Sequence, residues 1–183
     1  MSFRRRLSLS IATLTAMASL VPACGTVLPS VPECGTARRL AIVAQSVPTA
    51  SYVPCLVALP EGWEVSRFDA ESGHTRFSLV PDRGGGRPVD IELSEGCDVA
   101  GATPQPARSE GARTYLRLSS VSPRYAGTLF DVFAGGCVRY RFDFDRGPHI
   151  PLMEELRGAV ALFPRRQLEF DLRRRYGVEL NGS

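Results

Sequence analysis

An α+β fold is what this sequence of 183 residues predicts: an antiparallel sheet of about six or seven strands packed by an N-terminal helix and one or two C-terminal helices. Two observations carry that prediction. Apolar residues recur at helical spacing only near the two ends of the chain beyond residue 36. Between those ends lie short, alternating, β-leaning segments punctuated by Gly- and Pro-rich turns. Strands grouped in sequence, with helices outside them, belong to α+β architectures rather than to alternating βαβ ones.

Leu40, Val43, Ala44 and Val47 fall on one helical face, with Thr36 placed to cap the start and Pro48 to end it. Residues 52–59 are apolar and β-leaning, and Pro54 within them marks an edge strand. Pro60-Glu61-Gly62 then turns the chain into strand 63–68, whose Trp63 is read as a packing residue. Strand 75–80 leads to Gly84-Gly85-Gly86, read as a hairpin tip, and on to strand 88–93. There Val89, Ile91 and Leu93 share one face and acids the other. Residues 98–112 are small, polar and turn-rich, a surface loop, and 113–119 and 128–133 are further strands.

Gly135-Gly136 turns into 137–145, with Val138, Tyr140, Phe142 and Phe144 inward and Arg139, Arg141, Asp143 and Asp145 outward. One buried and one wet face is the habit of an antiparallel sheet. After Pro151 the helical period returns, with Leu152, Leu156, Val160 and Phe163 on one stripe. Pro164 is placed to start another helix, carrying Leu168, Leu172 and Tyr176 and ending at Gly177. Residues 168–172 also fit a strand.

The first residues are organised differently. Arg4, Arg5 and Arg6 precede an uncharged, mostly apolar run from 7 to 20, too short for the ~20 residues of a membrane-spanning helix. This is the layout of an export signal. Its end, Val21-Pro22-Ala23-Cys24, resembles the lipobox of bacterial lipoproteins, with Pro22 where Ala or Ser is usual. The resemblance implies lipid attachment at Cys24 and a place on the outer face of the cell membrane, with the membrane as a partner through the lipid anchor. Plain secretion after Ala23 and an uncleaved anchor over 7–23 are the alternatives, and each carries the remainder across the membrane. The expected organisation is an export signal at 1–23, a tether at 24–35 and a single extracytoplasmic domain at 36–183.

With Cys24 set aside, Cys34, Cys55, Cys97 and Cys137 remain, and four cysteines allow three pairings. Cys34–Cys55 with Cys97–Cys137 nests best with the predicted elements. No C-x2-C pair occurs, so neither zinc nor any other metal is expected, and no cofactor motif is present.

Charge excludes further classes. The net charge is +3, and of the 22 basic residues three are Arg4 to Arg6; the other 19 face 19 acids. A neutral domain lacks the footprint of a nucleic-acid binder. Every basic residue is arginine, so Schiff-base catalysis, a lysine base and a P-loop lysine are all absent.

Candidate chemistry is sparse. His74 and His149 are the only near-neutral acid–base groups, each read as a solvent-facing loop residue. Of the carboxylates that could support glycoside hydrolysis, Glu61, Glu64, Asp69, Glu71, Glu95 and Asp98, Asp98 is singled out because a disulfide at Cys97 would hold it stiffly. No Gly-x-Ser-x-Gly elbow occurs. Arg165, Arg166, Arg173, Arg174 and Arg175 are read as a solvated face paired with Glu169, Asp171 and Glu179, with anionic lipid headgroups as the competing reading. The leading expectation is a non-enzymatic, envelope-anchored binding or accessory module, whose partner is another envelope protein or a wall polymer. The alternatives are an envelope hydrolase acting on wall glycan or peptide, and a secreted inhibitor presenting loop 80–88 or 98–112.

Overall fold

The computed structural model describes residues 31–181; the expected export signal, Cys24 and the first part of the expected tether lie outside the described residues. The architecture is α+β, with three helices, a seven-stranded antiparallel sheet and a separate two-stranded sheet.

Helix α1 (Ala37–Ser46) buries Leu40, Val43 and Ala44, the stripe its spacing predicts. Thr36 sits at its start, but its hydroxyl turns back to Glu33 instead of capping the helix. Strand β1 (Tyr52–Leu56) pairs with β9 (Val160–Pro164), not with the main sheet. On its other side, Leu56 exchanges backbone bonds with Pro32 (2.8 Å) and Cys34 (3.0 Å), so residues 31–34 are docked onto the folded body. The Cys34–Cys55 disulfide closes that junction.

The main sheet is built from β2 (Trp63–Glu71), β3 (His74–Pro81), β4 (Val89–Ser94), β5 (Thr103–Gln105), β6 (Arg113–Ser120), β7 (Tyr125–Phe133) and β8 (Gly136–Phe144). Its spatial order is β2-β3-β4-β8-β7-β6-β5. It is therefore two meanders side by side, not one continuous meander. After β4 the chain crosses to the far edge, starts again at β5, and returns until β8 lies against β4. The Cys97–Cys137 disulfide ties the departing chain to the start of β8. Residues 98–112, expected to be loop throughout, supply the three-residue edge strand β5.

Period-2 alternation sends Phe77, Leu79, Val89, Ile91, Leu93, Val138, Tyr140, Phe142 and Phe144 into one continuous core. Helix α2 (His149–Ala159) adds Leu152, Met153 and Leu156, and α3 (Arg165–Tyr176) adds Leu168 and Leu172. Pro151 is tolerated because it lies in the first turn of α2, where backbone N–H groups have no helical partner. The single helical stripe expected from Leu152 to Phe163 breaks at Ala159: Val160 to Pro164 form β9. The four-residue step from Leu156 to Val160 imitates a helical repeat, whereas Val160 and Leu162 are buried in the alternating pattern of a strand.

Two tight turns are fixed by close approach. Gly135 has φ +69°, and a Cβ there would meet the Thr49 carbonyl oxygen at 1.8 Å. Its own carbonyl accepts from the Thr49 hydroxyl at 2.7 Å. The glycine run between β3 and β4 is a turn as expected, but it is not a free tip. A Cβ on Gly85 would fall 1.6 Å from an Asp145 carboxylate oxygen, so the turn lies against the end of β8.

Two arginines, Arg165 buried and Arg108 largely so, complete the frame. Arg165, expected on a solvated face, is only 7 % exposed. It donates to the Ala44 carbonyl near the end of α1 (2.7 Å) and to Asn181 (2.8 Å), and pairs with Glu169 at 2.9 Å. A helix end needs such donors for its last carbonyls, and α1 has no basic residue of its own there. Arg108, from the segment between β5 and β6, pairs with fully buried Asp131 on β7 at 3.1 Å. It also donates to the carbonyls of Arg157 (2.6 Å) and Val160 (2.8 Å). Asp131 accepts from Thr114 at 2.7 Å, and the Arg108 guanidinium lies over the Tyr140 ring. Burial pushes the Tyr140 hydroxyl far above its ordinary pKa, and the neighbouring Asp131 charge adds to that, so it stays neutral.

Removing one member of a buried pair strands the other. Arg108→Met is expected to lower unfolding free energy by about 3–5 kcal/mol in urea denaturation, and adding Asp131→Asn to recover part of it. A loss below about 1 kcal/mol would place the pair among solvated surface bridges instead.

Candidate functional site

The helices and the β1–β9 sheet cover one face of the main sheet, where Asp131 is buried; the other carries the rows of charged residues. Cross-strand register orders that open face into rows. One row runs Ser78, Asp90, Arg141, Thr128, Arg117 across β3, β4, β8, β7 and β6. The next runs Arg76, Glu92, Arg139, Phe130, Tyr115.

The second row is internally satisfied. Glu92 accepts from Arg76, and from Arg139 at 2.7 Å. Burial pushes the Glu92 pKa up, but the Arg76 and Arg139 hydrogen bonds and charges outweigh it, leaving the carboxyl below its ordinary value of 4.5. Phe130 is 1 % exposed although it points to the open face. Arg117 lies over its ring at 5.1 Å and reaches the Ala100 carbonyl at 2.9 Å, which ties the 97–102 segment across that end.

The first row is satisfied only where Ser78 donates to Asp90 at 2.6 Å; its Arg141, Thr128 and Arg117 end opens into a cleft of about 390 Å³. Arg117, Arg124, Arg141, Ser119, Thr128 and Asp143 line it. Its one carboxylate, Asp143, is gripped through both oxygens by Arg124 and also accepts from Arg87 at 2.8 Å. The Arg124 hydrogen bond chiefly, then the Arg124 and Arg87 charges, hold its pKa below the ordinary value against a small upward push from burial. Arg117 donates only to backbone carbonyls, and exposed Arg141 has no hydrogen bond or ion pair among the described residues. Three guanidiniums against one carboxylate give this cleft a positive excess on a domain with no net charge.

A second hollow, of about 450 Å³, is lined by Glu61, Asp82, Arg83 and Glu155. Its charges pair with one another: Arg83 bonds Glu155 at 2.9 Å and Asp82 at 3.3 Å. The buried Trp63 donates its indole N–H to Glu155 at 2.7 Å, a polar handle on what is otherwise a core residue.

The residues singled out from the sequence do not meet. Asp98 is exposed and caps its own turn, accepting from the Ala100 N–H at 2.9 Å. His74 begins β3 and lies 3.9 Å from Glu71 on an open hairpin. His149 departs from the expectation of a solvent-facing loop residue. It opens α2, stacks on Tyr125 at 5.6 Å, and its Nε2 is buried without a hydrogen-bond partner. Neither histidine lines either hollow. The cysteines pair as favoured from the sequence, Cys34 with Cys55 and Cys97 with Cys137. Arg117, Arg124 and Arg141 were not singled out as site residues. Alternation on β8 already places Arg141 outward, but only the register of β6, β7 and β8 shows what it faces.

Among the described residues no three His, Cys, Asp or Glu side chains are grouped to hold a metal ion. No described helix is long and apolar enough to cross a membrane. No family model, curated protein or solved structure matches this chain.

Because the folded pKa of Glu92 is depressed, its contribution to stability is complete above its ordinary value of 4.5 and is lost as pH falls through the folded value. Glu92→Gln is therefore expected to unfold at lower temperature than the parent near neutral pH, with the gap closing as pH falls below 4.5 and through the folded value. A gap that stays constant with pH would remove Glu92 from the acid limb.

Proposed function

We propose that the chain is an exported, envelope-anchored binding or accessory module without catalytic activity of its own. The observation that carries this reading is the open sheet face, a rigid surface with a partly unpaired arginine cleft beside rows of satisfied charge. Rigidity comes from the buried Arg108–Asp131 pair and from two disulfides, a bond type that persists in oxidising compartments. Disulfides at Cys34–Cys55 and Cys97–Cys137 are compatible with export, and the lipobox-like Val21-Pro22-Ala23-Cys24 supports a tether at the outer face of the cell membrane.

The competing readings have less support. A hydrolase needs a free histidine or carboxylate pair converging in a cleft; His74, His149 and Asp98 stand apart, and where Glu61, Asp82 and Glu155 share a hollow, Arg83 pairs with the last two. An inhibitor needs a protruding loop. The 80–88 segment is instead held by Arg83 to Glu155 and by Arg87 to Asp143, and Arg108 anchors the 98–112 segment to the interior.

Intact mass of the protein from the membrane fraction of its native host is the direct test. The expected mass is that of residues 24–183 with a diacylglyceryl group on Cys24, rising by about four hydrogens on reduction of two disulfides. An unprocessed chain with free thiols in the cytosol would overturn the reading. Crosslinking in place then asks whether the envelope holds a partner.

A further inference from the structure

We infer that the cleft between Arg117 and Arg141 is an oxyanion-binding site, taking a phosphate or carboxylate group of the ligand. The inference rests on the binding-module reading and gives that module its ligand chemistry.

Three features of the cleft converge on it. Arg117 and Arg141 stand on β6 and β8 with Thr128 of β7 directly between them in one cross-strand row. Their backbones are two strand spacings apart, about 10 Å, and only the short Thr128 side chain rises between them. Two long cationic side chains thus overlook a low floor carrying a hydroxyl. Guanidinium groups offer forked N–H donors that match the paired oxygens of carboxylate and phosphate, and Thr128 and Ser119 add hydroxyl donors.

Unused donor capacity is the second feature. Elsewhere on this face arginines are spent on acids: Arg76 and Arg139 on Glu92, Arg87 and Arg124 on Asp143. Arg141 is not, nor is exposed Arg113 further along β6, but of these two only Arg141 lies in the cleft. Asp90, its partner in register on β4, takes the Ser78 hydroxyl at 2.6 Å instead, and no ion pair with Arg141 forms.

The third feature is preorganisation. Arg117 is held by the Phe130 ring and the Ala100 carbonyl, and Arg124 by both oxygens of Asp143. Two of the three cations therefore lose little freedom when an anion arrives. The other hollow lacks this excess, since Arg83 there faces Glu61, Asp82 and Glu155.

The test follows arginine side-chain N–H resonances of the full chain by NMR, titrating inorganic phosphate and, separately, acetate at constant ionic strength. Saturable shifts at Arg117 and Arg141, absent at exposed Arg166 on α3, are expected with at least one anion. Saturation by phosphate alone assigns the site to a phosphate-bearing ligand, and saturation by acetate alone to a carboxylate-bearing one. Arg141→Gln, at an exposed position with no partner to lose, is expected to weaken binding about tenfold, and Thr128→Val by a smaller factor. Non-saturating shifts of equal size at Arg117, Arg141 and Arg166 would show general charge screening and overturn the inference. If an envelope partner is crosslinked while no saturable shift occurs, the oxyanion site fails and the binding-module reading stands.

Discussion

The buried Arg108–Asp131 pair is the constraint on which the arrangement of the two halves depends. Arg108 comes from the segment between the edge strand β5 and β6, and Asp131 from β7. The Arg157 and Val160 carbonyls that Arg108 also binds lie where α2 gives way to β9. One guanidinium thus ties the edge of the main sheet, its interior and the helical layer together. A buried carboxylate without a partner is far too costly to keep, so the pair forms only in the assembled fold. It also explains why α2 stops where it does. The Arg157 and Val160 carbonyls are bound to Arg108, and the chain leaves that point as β9 to pair with β1.

The same economy separates the faces of the main sheet. Helices, β1 and β9 take one face, whose alternating residues are apolar. The open face has no second layer, so its charged residues must be balanced by neighbours within the plane. Register does most of this: β4 sets Glu92 between Arg76 and Arg139, and β8 sets Asp143 within reach of Arg124 and Arg87. Surface pairs contribute little stability individually. Their larger consequence is for charge distribution, because pairing across much of the face leaves Arg117, Arg141 and Arg113 without a carboxylate partner.

Much of the fold was legible because local pattern and global fold agree. The apolar stripe of α1, the alternation of β4 and β8 and the α3 helix closed by Gly177 followed from spacing and turn chemistry, and the disulfides are the pairing favoured among three for its nesting with those elements. The failures have physical causes. Val160 extends a helical repeat by coincidence of spacing, while pairing with β1 decides its conformation. Arg165 and Arg108 look like surface residues in any local window, and only tertiary partners far along the chain make them interior. His149 was legible as a residue near a proline turn but not as a ring stacked on Tyr125, which belongs to another strand. The candidate cleft was least legible of all. It takes side chains from three consecutive strands, β6, β7 and β8, and from the turn at Arg124, and only the register between those strands shows which of them face one another.

Arginine composition gives the cleft a further property. Guanidinium groups stay protonated throughout the physiological range, unlike histidine and more firmly than lysine. The acid that shares the cleft, Asp143, is held ionised below the ordinary carboxylate range by Arg124 and Arg87. Above that range, therefore, neither side of the cleft titrates, and His74 and His149 lie outside it. Above that range the cleft keeps the same charge as pH varies. Any pH dependence in anion capture then belongs to the ligand, whose own ionisation determines whether the paired oxygens that Arg117 and Arg141 overlook are charged.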